Sequence, residues 1–285
     1  DKGLYYPVDF ASAGSSQIGG NIGTGVLDLA ALHSNAIYVL ELSSYQLDLV
    51  KSLRCDVAVF MNLSPDHLDR HGGMDGYQAA KMRIFQNQTP QDLAVIGFDD
   101  IYTQSMAIGL SASGPQRVTQ ISSTYTLGKG VSAVEGRLYD NLNGKAEFIG
   151  KLEDCPALQG RHNFQNAAAA YATCRALGLD PVIAVNDLGR WAPPPGRGTR
   201  ERILLDLVDE TAFDLIDDAF NANPASVAAA LDVLIAAQPQ DGVGRVGKGL
   251  SVMKCKDAHR RHCLGAVVQG DPLFRLEDDG RDPGP

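Results

Sequence analysis

The hydrophobic pattern is one of short apolar runs separated by amphipathic stretches. Ile37–Leu40 and Asp56-Val-Ala-Val-Phe-Met61 are nearly continuous apolar runs with polar flanks, which predicts buried strands. Glu41 stands at the carboxyl end of the first, and Asn62 and then His67 follow the second. Asp92-Leu-Ala-Val-Ile-Gly-Phe-Asp99-Asp100 predicts a third strand ending in two acids, for which a structural role is expected. Gln78–Gln86 reads as a helix with Lys81 and Phe85 one turn apart, and a stronger helix runs from Leu158 to Leu177. A further helix is expected from Val26 to Leu32, after the tight turn Gly19-Gly-Asn-Ile-Gly23. Alternating runs at Val131–Tyr139 and Ala146–Ile149 predict a small antiparallel excursion within residues 101–155. Phe213–Asp217 predicts a strand, followed by an acidic turn and a helix from Ala225 to Ala237. The fold class is therefore α/β: a mostly parallel sheet flanked by helices, plus the start of a second α/β domain.

In open α/β sheets, ligands bind outside the carboxyl ends of the strands. That rule would place Glu41 and His67 on one rim, with Ser43 and Gln46 beside Glu41. Each residue alone has a plainer reading: a strand-end acid, a satisfied histidine and, for Lys81, a surface lysine. Mg²⁺ prefers oxygen ligands, which Glu41 supplies. His67 is atypical for a hard cation, and a lysine ammonium cannot ligate. Asn163 and Asn166 lie three apart on one helix face, where asparagine also serves as a cap. Trp191-Ala-Pro-Pro-Pro-Gly196-Arg197-Gly is a stiff connector and the best domain boundary. Four segments are expected: an atypical stretch 1–17, a central domain 18–192, a linker and domain start 193–240, and an irregular tail 241–285.

The 285 residues suffice for two domains, and a net charge of −9 argues against a general grip on nucleic-acid phosphates. No apolar run is long enough to cross a membrane. The five cysteines include no Cys-x-x-Cys pair, which suits a reducing cytoplasm. Two near-motifs fail on detail. Gly242-Val-Gly-Arg-Val-Gly247-Lys248-Gly249 has no hydroxyl at its last position and follows no strand. Cys255, His259, His262 and Cys263 would fall on one stripe of a helix, which cannot enclose a metal.

Four blocks in order carry a resemblance: Gly20-Asn21-Ile22-Gly23; Glu41-Leu-Ser43-Ser-Tyr-Gln46-Leu; Asn62-Leu-Ser-Pro-Asp66-His67-Leu-Asp69-Arg70; and Tyr77-Gln-Ala-Ala-Lys81. Together they resemble the Mur ligases, over residues 18 to 235. The resemblance implies an ATP-dependent amide ligase of peptidoglycan precursor synthesis, cytoplasmic and monomeric, working through an acyl phosphate. The central blocks are nearest the branch that joins D-glutamate to UDP-MurNAc-L-alanine. Asp217-Asp218-Ala-Phe-Asn221-Ala-Asn223-Pro224 instead resembles the D-Ala-D-Ala-adding branch. A folylpolyglutamate synthase relative and a non-catalytic remnant are the other readings. By resemblance, Glu41 and His67 hold Mg²⁺ with Lys81 as a carbamate, and Asn21, Ser43 and Gln46 face the substrate. Asn163, Asn166, Arg197 and Asp218 would contact ATP. The family's phosphate loop, Gly-x-x-x-x-Gly-Lys-[Ser/Thr], is expected near residues 1–17, and nothing there matches it. The expectation is a truncated chain, inactive as it stands, with a slipped reading frame as an alternative source of the first 17 residues.

Overall fold

The computed structural model describes residues 16–21, 23–30, 36–152, 154–204, 212–218 and 224–236. The opening residues 1–15, the Asn221–Asn223 part of the acidic block, both near-motifs and the tail lie outside the described residues. The chain divides into two compact units, one ending at Trp191 and the other beginning at Ala192.

In the first unit, β1 (Ser16–Gly20) pairs in parallel with β2 (Ile37–Glu41), and these two form a sheet of their own. After β2 come α1 (Ser44–Leu49), β3 (Val57–Phe60), α2 (Leu68–His71) and α3 (Met74–Met82), the last extended by a 3-10 turn at Arg83–Phe85. Then follow β4 (Leu93–Gly97), α4 (Ile101–Ser113), β5 (Arg117–Ser122), β6 (Val131–Val134), β7 (Arg137–Asp140) and β8 (Glu147–Lys151). The six strands from β3 to β8 form a second sheet in sequence order. Its first four strands are parallel and its last two antiparallel. The unit closes with α5 (Arg161–Ala176) and α6 (Pro181–Arg190).

β4 shows why this sequence makes this sheet. Successive side chains on a strand point to opposite faces. Leu93 and Val95 pack with α5, while Ala94 and Ile96 pack with Met106 and Ala107 of α4 and with Tyr77 and Phe85. All five residues of β4 are buried, as its unbroken apolar run requires of a strand covered on both faces. The run Ala167–Ala170 and Ala172 is buried where α5 packs on the sheet, and small side chains allow a close approach. Tyr171 donates a 2.9 Å hydrogen bond from that helix to Asp140 Oδ2 on β7, so its one polar atom is satisfied.

Three expectations need correction. Where the sequence predicts a helix over Val26–Leu32, the described residues 26–30 form a single 3-10 turn at Val26–Asp28, with Leu29 already extended. Leu27 is 98% exposed there, so no apolar face offsets the cost of nucleating a helix. The stretch 101–155 does contain the antiparallel strands β6 to β8, but it opens with the thirteen-residue helix α4. Asp100 caps it, accepting from the backbone N–H groups of Tyr102 and Thr103. Exposed Ile101 and Ile108 blur the helical period that would have announced it. Finally, β2 and β3 are in separate sheets, so no single sheet rim carries Glu41 and His67.

The second unit contains β9 (Thr199–Leu204), paired antiparallel with β10 (Ala212–Asp217), and α7 (Pro224–Ala236).

The turn before β4 is fastened by a buried carboxylate. Arg54 donates to both oxygens of Asp92 at 2.8 and 2.7 Å, and Thr89 donates its N–H and hydroxyl to Oδ2. The hydrogen-bonded Arg54 guanidinium, helped by Thr89, holds the Asp92 carboxyl well below the usual range, against the opposing effect of burial. A depressed folded-state pKa gives stability that is complete above the unfolded value of about 3.9 and is lost as pH falls below it. Asp92→Asn is therefore expected to lower the urea midpoint at pH 7, and the gap from wild type should narrow below about pH 4. An equal gap at both pH values would remove the carboxylate from this role.

Candidate active site

Among the described residues, Lys81 is the buried basic side chain. It sits in the last turn of α3, 9% exposed, with its ammonium 5.3 Å from the centroid of the Tyr77 ring one turn earlier. Burial lowers its pKa, and the carboxylates of Glu41 and Asp66 pull the other way. Burial likewise pushes the Tyr77 phenol up to about 12, with Asp66 adding to the shift. Tyr77 and Asp66 had no assigned role in the sequence reading. The four-residue spacing of Tyr77 and Lys81 on a helix was the available signal.

Glu41 ends β2. Its carbonyl accepts a 2.7 Å hydrogen bond from the Asn21 N–H, which seats the Gly19–Gly23 turn on it. Gly20 there has φ +116°, and a Cβ would collide with the Glu41 carbonyl oxygen, so the position requires glycine. Glu41 Oε2 is buried and has no hydrogen-bond partner among the described residues. Ser43 and Gln46, two and five residues on, form a capping box at the start of α1. Ser43 Oγ accepts from the Gln46 N–H, and Gln46 Oε1 accepts from the Ser43 N–H at 2.9 Å. The Ser-x-x-Gln spacing signals this box in the sequence.

His67 is the cap residue of α2 and one of two described non-glycine residues with positive φ, at 51°. Its ring meets the Tyr45 ring edge-on at 5.2 Å and the Tyr77 ring at 6.4 Å, and Nε2 lies 3.7 Å from Asp66 Oδ2. Tyr77 thus touches both His67 and Lys81, while Glu41 acts on Lys81 through its charge. These contacts gather the three residues although their strands do not pair.

Asn163 and Asn166 occupy one face of the first turns of α5, with Asn166 Nδ2 donating to Asn163 Oδ1 at 3.3 Å. Neither caps the helix, because Gly160 holds that position; Asn163 Nδ2 donates to the Gln159 carbonyl instead. Between them, Gln165 donates to Asp99 Oδ2 at 2.9 Å, tying this helix to the end of β4. Asp99 also accepts from Ser122, Ser123 and Thr124, and Asp100 accepts from the Leu63 N–H. Both acids are consumed by structural bonds, as expected. In the second unit, Arg197 precedes β9 and Asp218 follows β10 where Thr199 pairs with Asp217, so both flank one end of that strand pair.

Residues 21–174, more than half of the chain, match the model of the Mur ligase middle domain. The chain belongs to the Mur ligase family. UDP-N-acetylmuramoylalanine–D-glutamate ligase of Caulobacter vibrioides is 51% identical over 179 residues, 62% of this chain and 38% of that protein. The enzyme of the same name from Rhodospirillum rubrum is 42% identical over 212 residues, 74% of this chain and 44% of that one. A crystal structure of MurF from Acinetobacter baumannii superposes on 80% of this chain and 50% of its own, with a TM-score of 0.58 and 23% identity, which speaks for the fold alone. This Mur ligase chain spans less than half the length of those curated relatives.

Mur ligases are ATP-dependent enzymes that use Mg²⁺, and the residues here can be tested against that ion. The buried, unpartnered Glu41 Oε2 is an oxygen donor of the kind a hard cation takes. Among the described residues, no three His, Cys, Asp or Glu side chains converge to hold a metal by themselves. That suits Mg²⁺, which is commonly bound by one or two protein groups together with nucleotide phosphates. The Mur ligase site thus fits a metal–nucleotide complex rather than a free-standing metal cage.

The left-handed backbone at His67 has its own consequence. Asparagine tolerates that region and a β-branched residue does not. His67→Val is expected to be less stable than His67→Asn by about 1–2 kcal/mol in urea unfolding, although both lack the imidazole. Equal stabilities would mean that the backbone relaxes freely at this position.

Proposed function

We propose that this chain is the central part of a ligase that joins D-glutamate to UDP-MurNAc-L-alanine at the expense of ATP. The observation that carries the reading is the 51% identity to a D-glutamate ligase over 179 residues, beside the family match over residues 21–174, which hold Asn21, Glu41, Ser43, Gln46, His67, Lys81, Asn163 and Asn166. The burial of Lys81 beside Glu41 supports it chemically. Residues 18–192 are proposed as the ATP-binding-type domain, and 193–240 as the linker and opening of the next domain. The Asp217–Pro224 block favours a D-Ala-D-Ala-adding ligase as the second reading.

In the proposed reaction, the substrate carboxylate attacks the γ-phosphorus of ATP to give an acyl phosphate and ADP. The amine of D-glutamate then attacks the acyl carbon and expels phosphate. Bound Mg²⁺ would supply charge neutralisation on the transferring phosphoryl group. Glu41 Oε2 and His67 would hold it. Lys81 with a lowered pKa keeps a larger neutral fraction at a given pH, which is what addition to CO₂ requires. Its Nζ forms an N–C bond to CO₂ and loses a proton to water, turning a cation into an oxygen-bearing anion beside Glu41. Asn21, Ser43 and Gln46 are proposed to face the uridine-linked substrate, the last two at the start of the capped helix α1. Asn163, Asn166, Arg197 and Asp218 are proposed on the nucleotide. No phosphate loop occurs within these 285 residues, so we expect them alone to bind Mg-ATP weakly and not to complete ligation.

Calorimetric titration with Mg-ATP tests this reading. Weak binding that Glu41→Ala abolishes is expected; binding indifferent to Glu41 would overturn the metal assignment, and robust ligation by the purified chain would overturn the expected inactivity. A second expectation concerns Lys81. With ¹³C-bicarbonate, a carbamate signal should appear in the carbon NMR spectrum and vanish in Lys81→Arg. Glu41→Gln removes a charge that holds the lysine proton, so the signal should set in at lower pH. A signal that persists without Lys81 would assign the carbamate elsewhere.

A further inference from the structure

We propose that His71 is a positioning residue that locks the segment after Glu41 to the segment carrying His67. The proposal rests on the metal reading above, which gives the separation of those two residues its importance. His71 Nε2 lies 3.1 Å from Ser44 Oγ, and Ser44 is the first residue of α1, only 3% exposed. A buried hydroxyl needs a partner, and His71 supplies it. Because the capping box fixes the start of α1 just past Glu41, holding Ser44 holds the end of β2.

The same residue grips a second helix. Its ring is tilted on Tyr77 with centroids 5.6 Å apart and meets Tyr45 at 5.7 Å. Its carbonyl lies so close to α3 that a Cβ on Gly76 would collide with it. α2 needs these holds. It has only four residues, no side-chain cap, and left-handed residues at both ends, His67 and Gly72. A helix that short has no stability of its own. Arg70 adds a second link to α1, reaching Asp48 at 3.4 Å and covering the Tyr45 ring, but it is half-exposed and correspondingly weak. His71, half-buried, is therefore the joint between the three segments that carry Glu41, His67 and Lys81.

The test uses His71→Ala, Ser44→Ala, the double variant and His71→Gln, which keeps a hydrogen-bonding side chain. Two quantities are read in the folded proteins. One is the ring-current displacement of the His67 ring protons, which arises from the edge-on Tyr45 contact; the other is the affinity for Mn²⁺ in the presence of saturating ATP, by electron paramagnetic resonance. Loss of the clamp should collapse the displacement and weaken Mn²⁺ about tenfold in either single variant. The double variant should be no weaker than the singles, and His71→Gln should recover much of both. A residue that merely stabilises the fold would lower the melting temperature and leave both quantities unchanged, and that result overturns the proposal. Should wild type bind no Mn²⁺ even with ATP present, the metal reading falls, and the His67 displacement alone decides: lost in Ser44→Ala it supports the clamp, retained it refutes it.

Discussion

The cost of burying one ammonium organises the first unit. Lys81 is removed from water in the last turn of α3, and an unpaired cation in such a place is expensive. Three things offset that cost: the charges of Glu41 and Asp66, and the face of the Tyr77 ring. Glu41 comes from the end of β2, Asp66 from the loop after β3, and Tyr77 from the helix itself. The demand for counter-charge around one nitrogen thus brings together two loops whose strands do not share a sheet. Burial lowers the lysine's pKa while its carboxylate partners raise it, a combination that structural ion pairs seldom need and reactive lysines use.

Around that point the scaffold is stiff where it must be. β4 is buried on both faces, and an alanine-rich α5 lies against the sheet. The half-buried Gln165–Asp99 bond joins that helix to the end of β4, close to where Asn163 and Asn166 emerge. The two acids after β4 are bonded into the scaffold: Asp100 caps α4, and Asp99 gathers hydroxyls and N–H groups of the loop after β5. Their saturation contrasts with Glu41, whose buried oxygen has no partner among the described residues. A carboxylate left unsatisfied amid carboxylates that are fully bonded is a natural place for a cation. Strain marks the neighbouring loop, since His67 holds a left-handed backbone against Tyr77, the ring that also meets Lys81.

Family membership and local chemistry carry different weight here. The match to the Mur ligase middle domain fixes the architecture from Asn21 to Cys174. Amino-acid selectivity is a separate matter, because the block from Asp217 to Pro224 is patterned differently from the central blocks. In the second unit, the pairing of Thr199 with Asp217 brings Arg197 and Asp218 to one end of a strand pair, a cation and an anion at one locus. That juxtaposition is a property of register.

The sequence by itself determined the strands β2, β3, β4 and β10 and the helices α3, α5 and α7, because each is long or apolar enough for its period to dominate. It also offered the candidate site residues, through the dense and ordered blocks that resemble the Mur ligases. It could not determine α4, whose exposed isoleucines hide its buried face, or the fate of Val26–Leu32, where a plausible helix finds nothing to bury against. The capping box at Ser43 and Gln46 was legible in its spacing but was read only as substrate contact. What tertiary structure alone decided is who meets whom. The split between the β1–β2 pair and the main sheet, the His71–Ser44 joint, and the Lys81 environment all depend on contacts between residues 15 to 40 positions apart. Local periodicity is blind to such distances; packing and the desolvation of a single charge are not.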